Sequence, residues 1–295
     1  MYQGFININK PSGVSSNYVL KQLKPHLGGS KIGFVGTLDP LASGVLPICL
    51  GFATRLSDMI SDQIKEYVFT GIFGVQTDSH DSEGKVIAKS EFNHVKKEDL
   101  IELLNKLKIS YNQEAPIFSA LKINGKKMYE LAREGIEVKP KVRNVKLFDF
   151  EIIDFEKPTF SIKILCSKGF YVRSLARDIG TNLGTHAHLT SLVRTKSSGF
   201  DIADSYSMEQ INHNVNSGGI KKLITPIDKL LTEIKSIYLN ETEAEKILNG
   251  NVLRKNIKGI VNNEKLIIFD DKSSIISVCN YKDGSIFPVK VVAHG

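Results

Sequence analysis

The hydrophobic residues follow two different spacings along the chain, and each spacing predicts a different kind of element. Alternation of apolar and polar residues, which is typical of strands with one buried face, occurs in GFININK, EYVFTGIFGV and TFSIKILCSKG. Helical spacing of three and four residues occurs in ATRLSDMISD, HVKKEDLIELLNKLK and FYVRSLARDIGTNLG. The last helix should end at Gly184, because glycine commonly caps helices. The sequence therefore predicts a chain that mixes strands with helices.

The first predicted strand leads into a tight turn and a short helix. Pro11-Ser12-Gly13 forms the predicted turn. Either Ser15 or Ser16 can then cap a helix whose apolar residues are Val19, Leu20 and Leu23.

Beyond Glu233 the chain predicts a small second unit. One helix is expected at TEAEKILNG, followed by short strands with turns at Asn262-Asn263, Asp270-Asp271 and Asp283-Gly284. We therefore expect two domains, residues 1–232 and residues 233–295, the second of them rich in β-structure.

The net charge of +7 and the isoelectric point near 9.1 favour an anionic partner, above all a nucleic acid. The charge is unevenly spread, because residues 105–147 contain ten Lys or Arg against four Glu. Within this segment, YNQEAPIFSALKINGKKMYELAREG is typical of an excursion from the core. A docking face for an anionic partner is the first interpretation, and a solvated lysine-rich surface is the alternative.

The cysteines and histidines give no sign of a metal site. Cys49, Cys166 and Cys279 are far apart and lie in apolar runs, so we expect buried thiols in a reducing compartment. No CxxC pair occurs, and the His186-x-His188 pair has no neighbouring Cys or acidic ligand, so we predict no metal and no cofactor. No segment has the character of a signal peptide or a membrane span, which predicts a cytoplasmic protein.

A single acidic residue lies in a constrained loop, GFVGTLDPLASGVLPICLG, at residues 33–51. Glycines flank and interrupt the segment, and Pro40 forces an extended backbone at Asp39. Pattern alone favours an Asp that caps a turn or a helix, and the alternative is a functional carboxylate. A nucleotide-binding loop has little support, because neither GxxxxGK[ST] nor GxGxxG occurs here.

This loop resembles the active-site motif of the TruB-type tRNA pseudouridine synthases, including the complete GTLDPLASG core. Other stretches resemble further motifs of that family in the same order: NKPSGVSSN, KEYVFTGIFGVQTDSHDSEG, APIFSALKINGKKMYELAREG, CSKGFYVRSLARDIG and GTHAHLTSLVRTKSSGF. Together they cover most of the chain from Gly4 to Phe200. The resemblance implies an α+β fold, in which helices flank a largely antiparallel sheet, followed by a small β-rich, PUA-like domain that binds RNA.

The resemblance implies three catalytic residues. Asp39 matches the aspartate that starts the breakage of the bond between uracil and ribose, by attacking C1′ or by drawing a proton from C2′. Tyr67 matches the tyrosine that stacks against the target base and is proposed to help remove the C5 proton. Arg173 matches the arginine paired with the aspartate, and a guanidinium is suited to keep a sheltered carboxylate charged.

The resemblance also implies contacts with the RNA. Lys10, Tyr171 and Leu192 fall on positions of the pocket for the target base, although by pattern alone they are a turn lysine and two packing residues. Phe34 stands where the family often has a histidine that inserts into the T loop, so it keeps a flat ring but lacks ring nitrogens. Phosphate contacts are expected from the insertion, residues 105–147, through Lys122, Lys126, Lys127 and Arg133.

The implied activity is the isomerisation of uridine 55 in the T loop of tRNA by a monomer that needs no cofactor. The alternative is a tRNA-binding folding chaperone with incidental or no catalysis, and the presence of all three catalytic residues favours the enzyme. A transglycosylase is disfavoured, because zinc-ligand spacing and a second carboxylate for acid catalysis are both missing from the motifs.

Overall fold

The computed structural model describes residues 2–61, 64–118, 122–123, 126–128, 140–231 and 234–292. Its helices within these residues are α1 (Ser16–Leu23), α2 (Ala53–Ser61), α3 (Lys97–Ile109), α4 (Val172–Asn182), α5 (Met208–Asn216) and α6 (Glu241–Leu248). Its strands are β1 (Gly4–Lys10), β2 (Ile32–Phe34), β3 (Ser43–Leu50), β4 (Lys65–Phe73), β5 (Val75–Thr77), β6 (Val86–Lys89), β7 (Tyr111–Glu114), β8 (Lys122–Ile123), β9 (Lys126–Lys127), β10 (Val142–Val145), β11 (Leu147–Glu156), β12 (Thr159–Cys166), β13 (Ala187–Ser197), β14 (Phe200–Asp201), β15 (Lys235–Tyr238), β16 (Leu253–Arg254), β17 (Glu264–Phe269), β18 (Ile275–Lys282) and β19 (Ser285–Val291).

A central eight-stranded sheet organises the larger part of the chain. Its strands run in the order β1-β3-β13-β4-β12-β11, with β2 beside β3 and β14 beside β13. The pairings are antiparallel, apart from a short parallel contact between β3 and β13. Helix α3 packs against β11 and α4 against β13. The α+β fold with a largely antiparallel sheet is therefore confirmed.

The structure shows which of the two candidate serines caps the N-terminal helix. Ser15 caps α1, because its hydroxyl accepts a hydrogen bond from the backbone N–H of Tyr18 at 3.1 Å. The hydroxyl of Ser16 binds another loop instead. At the other predicted helix, α4, Gly184 follows the last turn with φ +71°, the left-handed conformation that glycine adopts without strain.

The C-terminal unit is β-rich, as predicted. Five strands form a second sheet in the order β15-β17-β18-β19-β16, and α6 packs against it. The predicted boundary between residues 232 and 233 lies outside the described residues and stays a prediction.

Helix α2 joins this second sheet to the rest of the protein. Its residues Leu56 and Ile60 share one hydrophobic cluster with Ile267, Phe269 and Val278 of the second sheet, and all five are buried. Two hydrogen bonds reinforce the contact, from the guanidinium of Arg55 to the carbonyl of Val291 and from the ammonium of Lys290 to the carbonyl of Arg55. The two sheets are therefore connected by core packing as well as by the chain.

The basic insertion leaves the fold and returns to it at one place. Strands β7 and β10 pair in antiparallel register, with Glu114 opposite Val142. Between them, β8 pairs with β9. The chain therefore leaves and rejoins the fold at the paired residues Glu114 and Val142, beside α4.

The three cysteines are free thiols and are buried, as their apolar surroundings predicted. Within the described ranges, the structure has no helix with the length and apolar character needed to cross a membrane.

The cluster that joins α2 to the second sheet predicts a specific loss of stability. Ile267→Ala should lower the free energy of unfolding by about 2–5 kcal/mol, because it leaves a cavity in a buried cluster. Ile87→Ala, at a side chain that is 59% exposed, is the matched control and should change it by less than about 0.5 kcal/mol. Urea unfolding followed by circular dichroism measures both, and equal midpoints would contradict the packing described here.

Candidate active site

The loop that carries Asp39 is held from outside through its backbone. The hydroxyl of Ser16 accepts from the N–H of Leu38 at 2.9 Å and donates to the carbonyl of Leu38 at 3.0 Å. The hydroxyl of Ser12 donates to the carbonyl of Leu41 at 2.6 Å. The N-terminal segment therefore fixes the chain on both sides of Asp39, and buried backbone groups that would otherwise lack partners are satisfied.

Lys10 lies completely buried under the same loop. Its ammonium donates to the carbonyls of Pro11 at 2.8 Å, Val14 at 2.6 Å and Pro40 at 3.3 Å. Burial lowers the pKa of Lys10 from 10.5 to about 8, and the charge of Asp39 opposes this shift. The lysine that was predicted to touch the substrate is thus placed to hold the loop, and it does not line the cavities beside Asp39.

Arg194, on β13, holds the two ends of the loop. Its Nε donates to the carbonyl of Val45 at 2.7 Å and its Nη2 to the carbonyl of Gly36 at 3.0 Å. A longer contact of 3.5 Å joins Nη1 to the carbonyl of Thr37. Three carbonyls that lie before and after Asp39 in the sequence therefore share one guanidinium.

Asp39 and Arg173 form an ion pair, with 2.8 Å between Oδ2 and Nε. The side chain of Arg173, in the first turn of α4, is 5% exposed, whereas that of Asp39 is 39% exposed. The Nε–H is not aligned as a hydrogen bond, so the contact is electrostatic. The other guanidinium nitrogens donate to the carbonyls of Ser79 at 3.2 Å and Phe118 at 2.9 Å, and Nη1 lies 3.7 Å from a carboxylate oxygen of Asp81.

A cavity of about 390 Å³ opens beside this ion pair. Its wall contains Tyr67 from β4, Leu192 from β13, Phe34 from β2 and Tyr171, which immediately precedes α4. Burial raises the pKa of Tyr67, while the charge of Arg194 acts in the opposite direction. Five basic residues line this cavity: Lys65, Arg143, Lys168, Arg173 and Arg194.

A second cavity, of about 520 Å³, lies on the other side of Asp39 and also contains Phe34 and Arg173. Its wall is acidic, with Asp78, Asp81 and Glu83. Burial, followed by the charges of Asp81 and Asp39, raises the pKa of Glu83. In the described part of the chain, no group of three His, Cys, Asp or Glu side chains is arranged to hold a metal ion.

The structure thus brings together Asp39, Arg173, Tyr67, Tyr171, Leu192 and Phe34 around one cavity. Of the insertion residues, Lys122, Lys126 and Lys127 belong to the backbone of β8 and β9, and their side chains are not described. Arg133 lies outside the described residues. The predicted phosphate contacts of all four therefore stay predictions.

Arg194 and Asp81 belong to this site and sequence reasoning missed them. A signal for Arg194 was available, because it follows Leu192 by two residues in a strand and so shares its face. Asp81 lies in the turn between β5 and β6, where no strand or helix spacing predicts the direction of a side chain. Only the folded chain shows that it faces Arg173.

The lowered pKa of Lys10 predicts that the protein gains stability relative to a Lys10→Met variant as the pH rises from about 8 to about 10.5. Across this window the unfolded chain still binds the proton that the folded protein has released, so the free energy of unfolding rises with pH. Urea unfolding should show the difference, parent minus variant, growing by on the order of 1–3 kcal/mol. A difference that stays flat across the window would contradict the shift.

Comparison with known proteins agrees with the geometry. Residues 24–172 match the model of the TruB family pseudouridylate synthase N-terminal domain, and residues 173–232 match that of the tRNA pseudouridylate synthase B C-terminal domain. The tRNA pseudouridine synthase B of Clostridium kluyveri is 40% identical over 247 residues, 84% of each chain. That of Bacillus cytotoxicus is 34% identical over 302 residues, 99% of this chain and 98% of its own.

Solved structures share the fold. The crystal structure of a Cbf5-Nop10-Gar1 complex contains a chain with a TM-score of 0.72 at 22% identity, covering 98% of this chain and 84% of that one. The structure of an H/ACA RNP bound to a substrate RNA containing 2′-deoxyuridine contains a chain with a TM-score of 0.71 at 22% identity. The match covers 99% of this chain and 85% of that one. At this identity the likeness concerns the fold alone. The family models and the relatives show that the chain belongs to the TruB family of pseudouridylate synthases.

Proposed function

We propose that this protein isomerises uridine 55 in the T loop of tRNA to pseudouridine, with Asp39 as the catalytic carboxylate. The observation that carries the proposal is the Asp39–Arg173 ion pair, placed at the wall of a cavity that also contains Tyr67 and Leu192. The relatives' name, tRNA pseudouridine synthase B, supports tRNA as the substrate.

The reaction breaks one bond and forms another within the same nucleotide. The N1–C1′ bond breaks, the uracil rotates, and a C5–C1′ bond forms. C5 then gives up its proton to a base, and N1 gains one, so the atoms balance and no co-reactant is consumed. Asp39 starts the sequence by attacking C1′ or by removing the C2′ proton, and both routes require an ionised carboxylate.

Arg173 supports the ionised form of Asp39. A carboxylate that a bound nucleotide shelters from water is destabilised by the loss of hydration, and a nearby guanidinium offsets that cost. Because Phe118 and Ser79 accept hydrogen bonds from the same guanidinium, the cation is fixed independently of the carboxylate. It therefore stays in place while Asp39 reacts.

The cavity offers a flat, sheltered space for the detached base. Its volume of about 390 Å³ lies within the usual range of sites that enclose small ligands. The ring of Tyr67 supplies an aromatic face, and in this proposal its hydroxyl assists the removal of the C5 proton. Leu192, Tyr171 and Phe34 add apolar and aromatic surface to the same wall.

The target uridine must leave its stack before it can enter this cavity, which costs a few kcal/mol. Contacts with phosphates offset that cost, and the basic residues Arg143 and Lys168 beside the cavity are placed to provide them. Further phosphate contacts are proposed for Lys122, Lys126, Lys127 and Arg133 of the insertion, and RNA binding is proposed for the C-terminal β-rich unit, as the family resemblance implies. We propose that the protein acts as a monomer in the cytoplasm without a cofactor.

Asp39→Asn should abolish product formation while tRNA binding is retained. The amide keeps the size of the side chain but can neither attack C1′ nor accept the C2′ proton, so the single-turnover rate should fall by on the order of 10³-fold or more. An unmodified tRNA transcript is incubated with each protein, and pseudouridine is mapped by chemical modification.

Asp149→Asn, at an exposed position on β11, is the matched control and should form product at the parent rate. Equal signal from Asp39→Asn and the parent would remove Asp39 from the mechanism. Product at a uridine outside the T loop would overturn the proposed position. Improved tRNA folding by the parent without any product would favour the chaperone.

The basic rim predicts a change in the salt dependence of binding. Replacing Arg143 and Lys168 together by Gln should weaken tRNA binding, and the slope of log Kd against log salt should become shallower by about 1.4 to 1.8, which corresponds to two lost phosphate contacts. Filter binding across a salt series measures the slope. Lys96→Gln with Lys97→Gln, at the start of α3, removes the same charge elsewhere and is expected to leave the slope nearer to the parent value. Equal slopes for both double variants would refute the assignment.

A further inference from the structure

Arg194 is a buried arginine whose guanidinium binds backbone carbonyls. It is 1% exposed, and it forms no ion pair with any carboxylate of the described residues. A buried guanidinium without such a partner is costly, and backbone carbonyls are its compensation here. An apolar side chain would fill the same space at lower cost, so packing alone does not account for an arginine.

The contacts of Arg194 link the groups that take part in the reaction. Its guanidinium binds the carbonyls of Gly36 and Thr37 before Asp39 and that of Val45 after it. In the sheet, Arg194 stands directly opposite Tyr67 in the β13–β4 register, and both residues line the same cavity of about 390 Å³.

The backbone around Arg194 is adapted to this close approach. Gly44 has φ +98°, and a Cβ on it would lie 2.3 Å from the carbonyl oxygen of Arg194. Gly36 has φ +73°, and a Cβ there would lie 3.4 Å from Nη1. Gly44 therefore makes room for the backbone of Arg194, whereas at Gly36 it is the left-handed φ, and not a clash, that requires a glycine beside the guanidinium.

We propose that Arg194 is a positioning residue for the isomerisation, because its forked guanidinium ties the Asp39 loop to the point of the sheet where Tyr67 lies. This inference rests on the proposed function, since it concerns the distance between the group that starts the reaction and the aromatic ring that receives the base. A displacement of about 1 Å between such groups can cost on the order of 10²-fold in rate. The role requires the several N–H donors of a planar guanidinium, and not only its positive charge.

Arg194→Lys and Arg194→Gln separate geometry from charge. Lysine keeps the charge but has no fork to bind three carbonyls, and glutamine has neither the charge nor the reach. Both variants should lower the single-turnover rate by about 100-fold at saturating tRNA, whereas the Kd for tRNA should change by less than about threefold. Hydrogen exchange read by mass spectrometry should become faster in the peptide that contains residues 36–45 and stay unchanged in β12.

Ile162→Ala is the matched control, because Ile162 is equally buried on β12 and does not line the cavity. It should destabilise the protein while the rate and the exchange of residues 36–45 stay at parent values. If Arg194→Lys keeps the rate within threefold of the parent, the inference is wrong. It is also wrong if the rate falls without faster exchange in the loop.

A second variant keeps the inference testable if neither Arg194 variant folds. Gly36→Ala leaves the guanidinium in place and displaces the carbonyl that it binds, so it should also lower the rate with little effect on tRNA affinity. Parent activity from Gly36→Ala would then overturn the inference. The parent protein is measured alongside: if it forms no pseudouridine, the proposed function fails, whereas an active parent with an unaffected Arg194→Lys refutes only the role of Arg194.

Discussion

The site depends on one constraint: a sharply bent loop beside a cavity must have hydrogen-bond partners for its buried carbonyls in the absence of water. Here the partners are side chains, with Ser12, Ser16 and Lys10 from the N-terminal segment and Arg194 from the sheet. At the buried carbonyl of Leu38, for example, loss of the Ser16 hydroxyl would leave the oxygen unsatisfied, at a cost of about 1–3 kcal/mol. The loop conformation is therefore tied to the sheet at several points.

The side chains that hold the loop explain how the partly exposed carboxylate of Asp39 can have a fixed position. The side chain of Asp39 is more exposed than Lys10, Ser16 and Arg194, which hold its loop. Arg173 beside it is fixed by its own hydrogen bonds to backbone carbonyls. The reacting group thus faces the cavity while its surroundings are settled before any substrate binds. Such preorganisation avoids the reorganisation that would otherwise add to the barrier.

Sequence patterns predicted the regular elements well where one face is buried. β4 and β12 alternate cleanly and were predicted, whereas β11 was not. Its ladder contains two irregularities, next to Phe148 and Ile153, and both residues are exposed. Each extra residue reverses the alternation, so the pattern of this strand carries no single period.

The site itself was predictable only in part. Asp39, Tyr67 and Arg173 came from the resemblance to the family, since pattern alone made the first a capping residue and the second a packing residue. The place of Lys10 under the loop depends on the carbonyl of Pro40, thirty residues further along the chain. No local pattern contains that contact, and the same holds for the approach of Arg194 to Gly36.

The return of the basic excursion to its starting point has a practical consequence. Because Glu114 and Val142 face each other across two paired strands, the ladder already closes the connection, whatever lies between them. The entropic cost of closing a longer or shorter segment changes only slowly with its length. This junction is therefore suited to exchanging the excursion for that of another relative to alter RNA preference, provided that the exchange keeps Phe118, whose carbonyl binds the guanidinium of Arg173.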